Sequence, residues 1–364
     1  MTVLVTGACG LVGTAVVREL LDRQTAVVAT DLDVKDNRRA VDAMRRYASR
    51  GGGAFDVSWC DLTKASSVTR LIDEVRPDAI VHLAALIPPF CYARPALAQA
   101  VNVTAVADLV GAARSAGVRR FALASSVAVY GARNPYSHSD LLTADTPRQP
   151  GDLYGAHKCA AEDIVTNSGL DWVVLRLGGV IAAEQSLGVD KDLMAFQAVL
   201  PGDGRLQSVA VGDVARAFAA AIDTESSRTV YLIGGDESHR LTQYELAART
   251  AQAMGMPGGI PEPRSGNPES DADWFATDWM DTTCAQQTLD YQRTSVEELL
   301  DEVRRHVGWR RHLLRVARPA ITFALRRRAP DRDRSGPYAD PWGVIADRWG
   351  APLPPTGLSV DAGR

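Results

Sequence analysis

Apolar runs of about five residues alternate with longer amphipathic stretches from the first residues onward. Thr2-Val3-Leu4-Val5-Thr6 reads as a strand buried on both faces. The stretch after it puts Val16, Val17, Leu20 and Leu21 on one side of a helix. Ala26-Val27-Val28-Ala29-Thr30 predicts a second strand. Lys35 to Arg50 is polar and arginine-rich, a helix followed by the flexible turn Gly51-Gly52-Gly53. Strands follow over Phe55 to Trp59 and Ala79 to Leu83, the latter ending in small residues. The pattern then predicts a helix over Ala96 to Ala116 and strands over Phe121 to Ser126 and Asp171 to Leu175. Arg205 to Val211 returns to the core, and Asp213 is placed to cap a helix over Val214 to Ile222. A strand over Thr229 to Ile233 and a helix over Thr242 to Met254 complete the alternation. Gly258 to Pro268 is a proline- and glycine-rich connector, and no internal repeat is present. Alternating strands and helices imply an α/β fold with a doubly wound parallel sheet.

Composition narrows the function classes. At 364 residues the chain can bury a large core in one or two domains. A net charge of −4 leaves no global basic field for nucleic acid. Cys9, Cys60, Cys91, Cys159 and Cys284 are scattered, odd in number and without metal-ligand spacing. That suits reduced thiols in the cytoplasm and predicts no metal site. The first strand begins at residue 2, leaving no room for a signal peptide, and no run reaches about 20 apolar residues.

The candidate chemistry lies at the strand ends. Gly7-Ala8-Cys9-Gly10-Leu11-Val12-Gly13 joins the first strand to a helix start, where backbone N–H groups can cradle a pyrophosphate. Its spacing, G-x-x-G-x-x-G, departs from the usual G-x-G-x-x-G. Asp31 ends the second strand, where a carboxylate accepts ribose hydroxyls and repels a 2′-phosphate, which favours NAD over NADP. The strand ending in Ser125-Ser126 lies 28 positions before Tyr154. Tyr154 and Lys158 are four residues apart, so a helix puts them on one face. An ammonium beside a phenol favours the phenolate, and the expectation is a tyrosine pKa lowered toward working pH. Ser126 can donate to the same oxygen that Tyr154 protonates. His157 is read as a surface residue. Pro88, Pro89 and Pro95 enclose a loop in which Phe90 and Tyr92 either line a pocket or pack the loop.

These segments together resemble the extended short-chain dehydrogenase/reductases, the NAD-dependent epimerase/dehydratase group. The matching residues are Thr6-Gly7-x-x-Gly10-x-x-Gly13, Asp31, Asp61-Leu62, His82-Leu83-Ala84-Ala85 and Asn102-Val103, then Ser125-Ser126-x-x-Val129-Tyr130-Gly131, Tyr154-x-x-x-Lys158 and Arg176. They occur in the family's order, and the resemblance covers about residues 1–306. It implies a Rossmann-type sheet over 1–176, with 206–234 returning to it. It implies a small substrate-binding part from 177–205 and 235–306, leaving 307–364 as an extension. It further implies that Ser126, Tyr154 and Lys158 are catalytic. Asn102 either orders a proton-relay water or braces its helix. The implied NAD contacts are Gly7, Cys9, Gly10, Leu11, Val12, Gly13, Asp31, Asp61, Leu62, Leu83, Ala84, Ala85, Tyr154 and Lys158.

Departures from the family bear on substrate. Arg176-Leu177-Gly178-Gly179 lacks the asparagine of the common Arg-x-x-Asn. Leu206 stands where nucleotide-sugar enzymes carry a diphosphate-gripping arginine, although neighbouring Arg205 could substitute. Val127-Ala128 replaces the Asp-Glu of the dehydratases. The reading is an NAD(H)-dependent oxidoreductase that interconverts a secondary alcohol and a ketone. The alternatives are a nucleotide-sugar epimerase with bound NAD and a non-catalytic NAD-binding regulator. A homodimer in the cytoplasm is expected. Residues 304–328 carry nine arginines and no Asp or Glu, interleaved with apolar residues and broken or kinked at Pro319. Either they pack on the protein or a partner subunit, or they make peripheral membrane contact and point to a lipophilic substrate. The tail after Pro330, with Tyr338, Trp342 and Trp349, is expected along a surface groove.

Overall fold

The computed structural model describes residues 1–184, 190–329 and 334–350. Its first half runs β1 (Thr2–Thr6), α1 (Leu11–Asp22), β2 (Ala26–Thr30), α2 (Lys35–Ala48), β3 (Phe55–Val57), α3 (Ala65–Val75) and β4 (Ala79–His82). It continues through α4 (Phe90–Ala93), α5 (Pro95–Gln99), α6 (Ala105–Ala116), β5 (Arg120–Ser126), α7 (Leu153–Thr166) and β6 (Asp171–Leu177). Then come β7 (Gly179–Ile181), α8 (Lys191–Gln197), β8 (Arg205–Ala210), α9 (Val211–Asp223), β9 (Thr229–Ile233), β10 (Arg240–Thr242) and α10 (Gln243–Ala253). The last helices are α11 (Thr283–Leu289), α12 (Val296–Val307), α13 (Arg310–Arg327) and α14 (Pro341–Trp349).

Seven strands form one sheet in the order β3-β2-β1-β4-β5-β6-β9, with every neighbouring pair parallel. The alternation within β1 divides the core. Val3 and Val5 pack with α1 and α9 on one face, and Leu4 packs with α3 and α6 on the other. The strand order reverses between β1 and β4, which opens a crevice at the carboxyl ends of those strands. A smaller sheet, β10-β8-β7, lies apart.

Several boundaries differ from the expected ones. The return segment splits: Arg205–Ala210 pairs in the smaller sheet, and only α9 and β9 rejoin the large one. Asp213 does not cap a helix. α9 starts at Val211, and the buried Asp213 in its first turn accepts from the backbone N–H groups of Arg293 and Thr294 at 3.3 and 3.2 Å. The helix over 95–116 contains a π-helical turn at Ala100–Thr104. That helix has 22 residues and an 18-residue window of mean hydropathy 1.4, long and apolar enough by composition to cross a bilayer, although Gln99, Asn102, Asp108 and Arg114 interrupt its apolar run. Here it buries Ala105, Val106, Leu109 and Val110 in the core beside α3 and α7.

The region beyond 307 is not a uniform extension. Pro319 neither ends nor breaks α13. Pro330 and residues 351–364 lie outside the described residues, but α14 is not laid in a surface groove. Val344, Ile345 and Trp349 are buried in a cluster with Tyr92, Leu153 and Phe196 from the crevice side of the large sheet. Each such side chain contributes about 1.5–3 kcal/mol when fully buried, enough to fix a helix of nine residues.

Candidate functional site

β5 delivers two serines to the crevice, and strand alternation sends them to different places. Ser125 is buried and its hydroxyl donates to Glu162 Oε1 at 2.5 Å. Ser126 stays partly exposed, and its oxygen accepts from the Ala128 N–H at 3.2 Å, leaving the hydroxyl proton available. α7 starts at Asp152, whose carboxylate accepts from the N–H groups of Tyr154 and Gly155 at 3.2 and 3.0 Å. The Tyr92 hydroxyl donates to the same carboxylate at 2.5 Å. Tyr154 is thus set on the first turn of a helix whose cap is itself held by α4.

Lys158 lies one turn further on. Its buried Nζ donates to the Ala124 carbonyl at 2.8 Å and sits 5.6 Å from the centre of the Tyr154 ring. Burial pulls the ammonium down to about 8, with Glu162 opposing. The phenol does not follow the expectation. Burial pushes Tyr154 above its ordinary value, Cys91 and Asp152 add to the rise, and the Ser126 hydroxyl opposes it. Desolvation of the phenolate dominates and favours the protonated phenol. His157 is also not a surface residue. It is fully buried, neither ring nitrogen has a partner, and burial drives its pKa down to about 4.

Asn102 clamps the loop after β4. Its side chain accepts from Leu86 N–H at 2.7 Å and donates to Leu86 O at 2.9 Å, with the π-helical turn carrying it there. Both bonds hold the loop after β4 to the helix that carries Asn102. Arg176 is buried against Glu162 through two bonds of 2.9 and 2.7 Å and donates to the Tyr130 hydroxyl at 2.7 Å.

The residues for a dinucleotide meet at the β1–β4 switch point. Gly7 has φ +65°, and a Cβ there would lie 2.7 Å from Ala84 N. A Cβ on Gly13 would lie 2.1 Å from Gly7 O. The turn therefore accepts only glycine at both places. Gly10 caps α1 with no side chain over the helix N-terminus, and no acidic residue occupies its first turn. Those N–H groups suit a pyrophosphate. Asp31 reaches back to the turn and accepts from Cys9 N–H at 3.0 Å through Oδ2, while Oδ1 accepts from Leu32 N–H and Asn37. One lone-pair site of Oδ2 remains for a ribose hydroxyl. Leu11 and Val12 begin α1, and Leu83, Ala84 and Ala85 follow β4 along the other wall. The Thr6 hydroxyl oxygen accepts from Leu83 N–H at 3.3 Å and so ties that wall to the turn. Asp61 holds Thr63 and pairs with Lys64 at 3.3 Å, next to the buried Leu62. The residues present fit NAD.

Residues 3–234 match the NAD dependent epimerase/dehydratase family. The chain belongs to that family. The family is NAD dependent, which makes NAD the cofactor. The UDP-glucose 4-epimerase of Lactobacillus helveticus is 27% identical over 197 residues, 53% of this chain and 56% of that enzyme. The uronate dehydrogenase of Pseudomonas putida is 28% identical over 188 residues, 50% of this chain and 63% of that enzyme. The chain thus spans under two thirds of these relatives. The crystal structure of Thermus thermophilus UDP-glucose 4-epimerase with NAD superposes with a TM-score of 0.67 at 25% identity. The match covers 84% of this chain and 99% of that one.

Three participants escape the motif reading. Asp152 carries a readable signal, an acidic residue directly before a helix. Glu162 stands four residues after Lys158, on the same helix face. Tyr92 reaches Asp152 across 60 residues, and no local signal announces that contact.

Proposed function

We propose that the protein is an NAD-dependent oxidoreductase that interconverts a secondary alcohol and a ketone on a lipophilic small molecule. The observation that carries this reading is the convergence of Ser126, Tyr154 and Lys158 at the end of β5, beside an aromatic wall. Tyr154 and Leu86 pack against a cluster that contains Phe196, Phe275, Trp342 and Trp349. Phe196 meets the Phe275 and Trp349 rings edge-on at 5.4 and 6.0 Å, and Phe275 lies 5.4 Å from Trp342. Such a wall favours apolar over polar ligand surface.

In this reading the cofactor accepts or supplies the hydride when bound. Gly7, Gly10 and Gly13 hold its pyrophosphate and Asp31 its adenosine ribose. Tyr154, protonated at neutral pH, donates to the substrate oxygen as the ketone is reduced and takes the proton back in the reverse direction. Ser126 donates a second hydrogen bond to that oxygen. Lys158 stabilises the phenolate formed when Tyr154 gives up its proton. The buried aromatic side chains keep bulk water from the reacting oxygen.

The second reading is a nucleotide-sugar epimerase, and the similarity to UDP-glucose 4-epimerases favours it. Against it stand the engaged arginines on the substrate side. Arg205, the neighbour that could substitute for a diphosphate grip, is engaged elsewhere: it donates to the carbonyls of His138 and Pro135 at 2.8 and 3.1 Å and stacks over Trp279. Arg133 pairs with the buried Asp278 at 2.9 Å. Cysteines with no disulfide partner fit a cytoplasmic protein, and a homodimer is proposed as its working form.

The test incubates purified protein and NAD with secondary alcohols of increasing apolar surface and with UDP-glucose. Free NADH from the apolar alcohols supports the first reading, and epimerised UDP-sugar without free NADH supports the second. No turnover on any of them supports a non-catalytic regulator. Cofactor choice is tested separately. NAD is preferred over NADP, and Asp31→Ala narrows that ratio by about tenfold, since a hydrogen bond to a charged group is worth ~1.5–3 kcal/mol. Michaelis constants with both cofactors measure it, and a native preference for NADP contradicts the role of Asp31.

A further inference from the structure

The helix α13 carries two faces of opposite character. Its inner face packs on the loop after α10. Leu314 joins the cluster around Val303 and Val307, Arg318 donates to Pro257 O at 2.8 Å, and the Thr322 hydroxyl donates to Gly259 O at 2.8 Å. Its outer face is an apolar stripe that no other element covers among the described residues. Trp309, Leu313, Val316, Ala320 and Phe323 recur at spacings of four, three, four and three, so they lie one above another on one side of the helix. Trp309 is 70% exposed, Leu313 58%, Val316 82% and Phe323 65%. Most other large apolar side chains of the chain are buried, so this row is not the scatter of single exposed residues that any surface has.

The flanks of the stripe decide what covers it. Residues 304–328 hold nine arginines and no carboxylate. At 100° per residue, Arg310 and Arg328 border the apolar stripe on one side and Arg315 and Arg326 on the other, and all four are exposed. A second copy meeting this face across a two-fold would bring two such arginine sets together with no carboxylate in 304–328 to pair them, which counts against that occupant. An anionic lipid surface accepts both features at once. The apolar row enters the acyl boundary, and the arginines reach the headgroup phosphates.

We propose that α13 is an interfacial helix that docks the protein on anionic membranes, lying in the plane of the surface. The helix does not span: arginines flank the apolar row, and Arg327 ends it on the same face. Its position gives docking a consequence for the crevice. The chain beyond it is pinned by Arg264, which donates to the carbonyls of Arg334 and Gly336, and leads into α14 on the aromatic wall. The proposal goes beyond the catalytic reading and is read by binding alone, so the failure of one leaves the other standing.

The experiment sediments full-length protein with phosphatidylcholine vesicles, with and without phosphatidylglycerol. Native protein is expected to pellet with the anionic vesicles at low salt, to stay in solution with neutral ones, and to be released as salt rises. The double variant Val316→Asp/Phe323→Asp is expected to lose at least tenfold in vesicle partition with an unchanged thermal transition. Arg326→Glu/Arg328→Glu is expected to lose binding in the same assay, and an unchanged thermal transition again serves as the folding control. Native protein that stays soluble at low salt overturns the proposal. So does a Val316→Asp/Phe323→Asp protein that binds as well as the native one. A native dimer that this variant converts to a monomer, with no vesicle binding, overturns it in favour of a second copy on the stripe.

Discussion

Replacing Tyr154 with phenylalanine is expected to lower turnover by about 10²–10⁴-fold, the usual contribution of a positioned general acid–base group. The aromatic ring stays, so its packing against Leu86 and the aromatic wall is kept. The helix cap stays as well, because Asp152 holds the backbone of residue 154 and not its hydroxyl. NAD affinity, measured by calorimetry, is expected to remain near the native value, since in the proposed reading the glycine turn and Asp31 hold the cofactor. Lys158→Ala behaves differently. It removes a buried ammonium that donates to Ala124 O beside Ser125 and Ser126, and both rate and cofactor affinity fall. A Tyr154→Phe protein with near-native turnover refutes the assignment of the phenol.

The largest stability effect is expected at Arg176. Glu162 is buried behind the crevice, where it accepts from Ser125, from Arg148 at 3.3 Å and from Arg176 twice. Arg176 is equally buried, and its remaining N–H groups reach Tyr130 and the Ala144 carbonyl. Arg176→Ala strips the carboxylate of its bidentate partner and leaves a charge in the core with only partly exposed Arg148 to answer it. Breaking one side of a buried pair costs about 3–5 kcal/mol. The midpoint of urea unfolding should drop accordingly. Arg176→Lys should recover only part, because an ammonium cannot match the two carboxylate oxygens as a planar fork does. A midpoint that Arg176→Ala leaves in place removes the network from the account of how β6 and α7 hold the site.

What could be read from the chain follows the range of each interaction. The β1 turn is local: Gly7 and Gly13 stand six residues apart, and their need for glycine is a property of that turn and its contact with Ala84. Tyr154 and Lys158 are likewise local, one helical turn apart. The alternation of β5 even separates Ser125 from Ser126, once it is known which face meets α7. The rest depends on distant segments. Tyr92 reaches Asp152 only because α4 folds over the start of α7. His157 lies inside because α7 is enclosed on several sides, by the sheet, by α6 and by the π-helical turn, so a helix periodicity that assumes one wet face misplaces it. The tyrosine pKa fails for the same reason. The charge of Lys158 is visible in the sequence, but the burial that raises the tyrosine comes from the tertiary packing. α14 is the clearest case: Trp342 and Trp349 look like residues of a tail, and they contribute to the wall beside Tyr154 after a return of nearly two hundred residues.

The most direct test of the central claim follows one hydrogen. The protein is incubated with NAD and an apolar secondary alcohol deuterated at the carbinol carbon, and the reduced cofactor is examined by mass spectrometry. Native protein should yield NADH carrying deuterium together with the ketone, and Tyr154→Phe should yield almost none in the same time. Absence of labelled NADH from every apolar alcohol, while UDP-glucose is epimerised under the same conditions, would contradict the account.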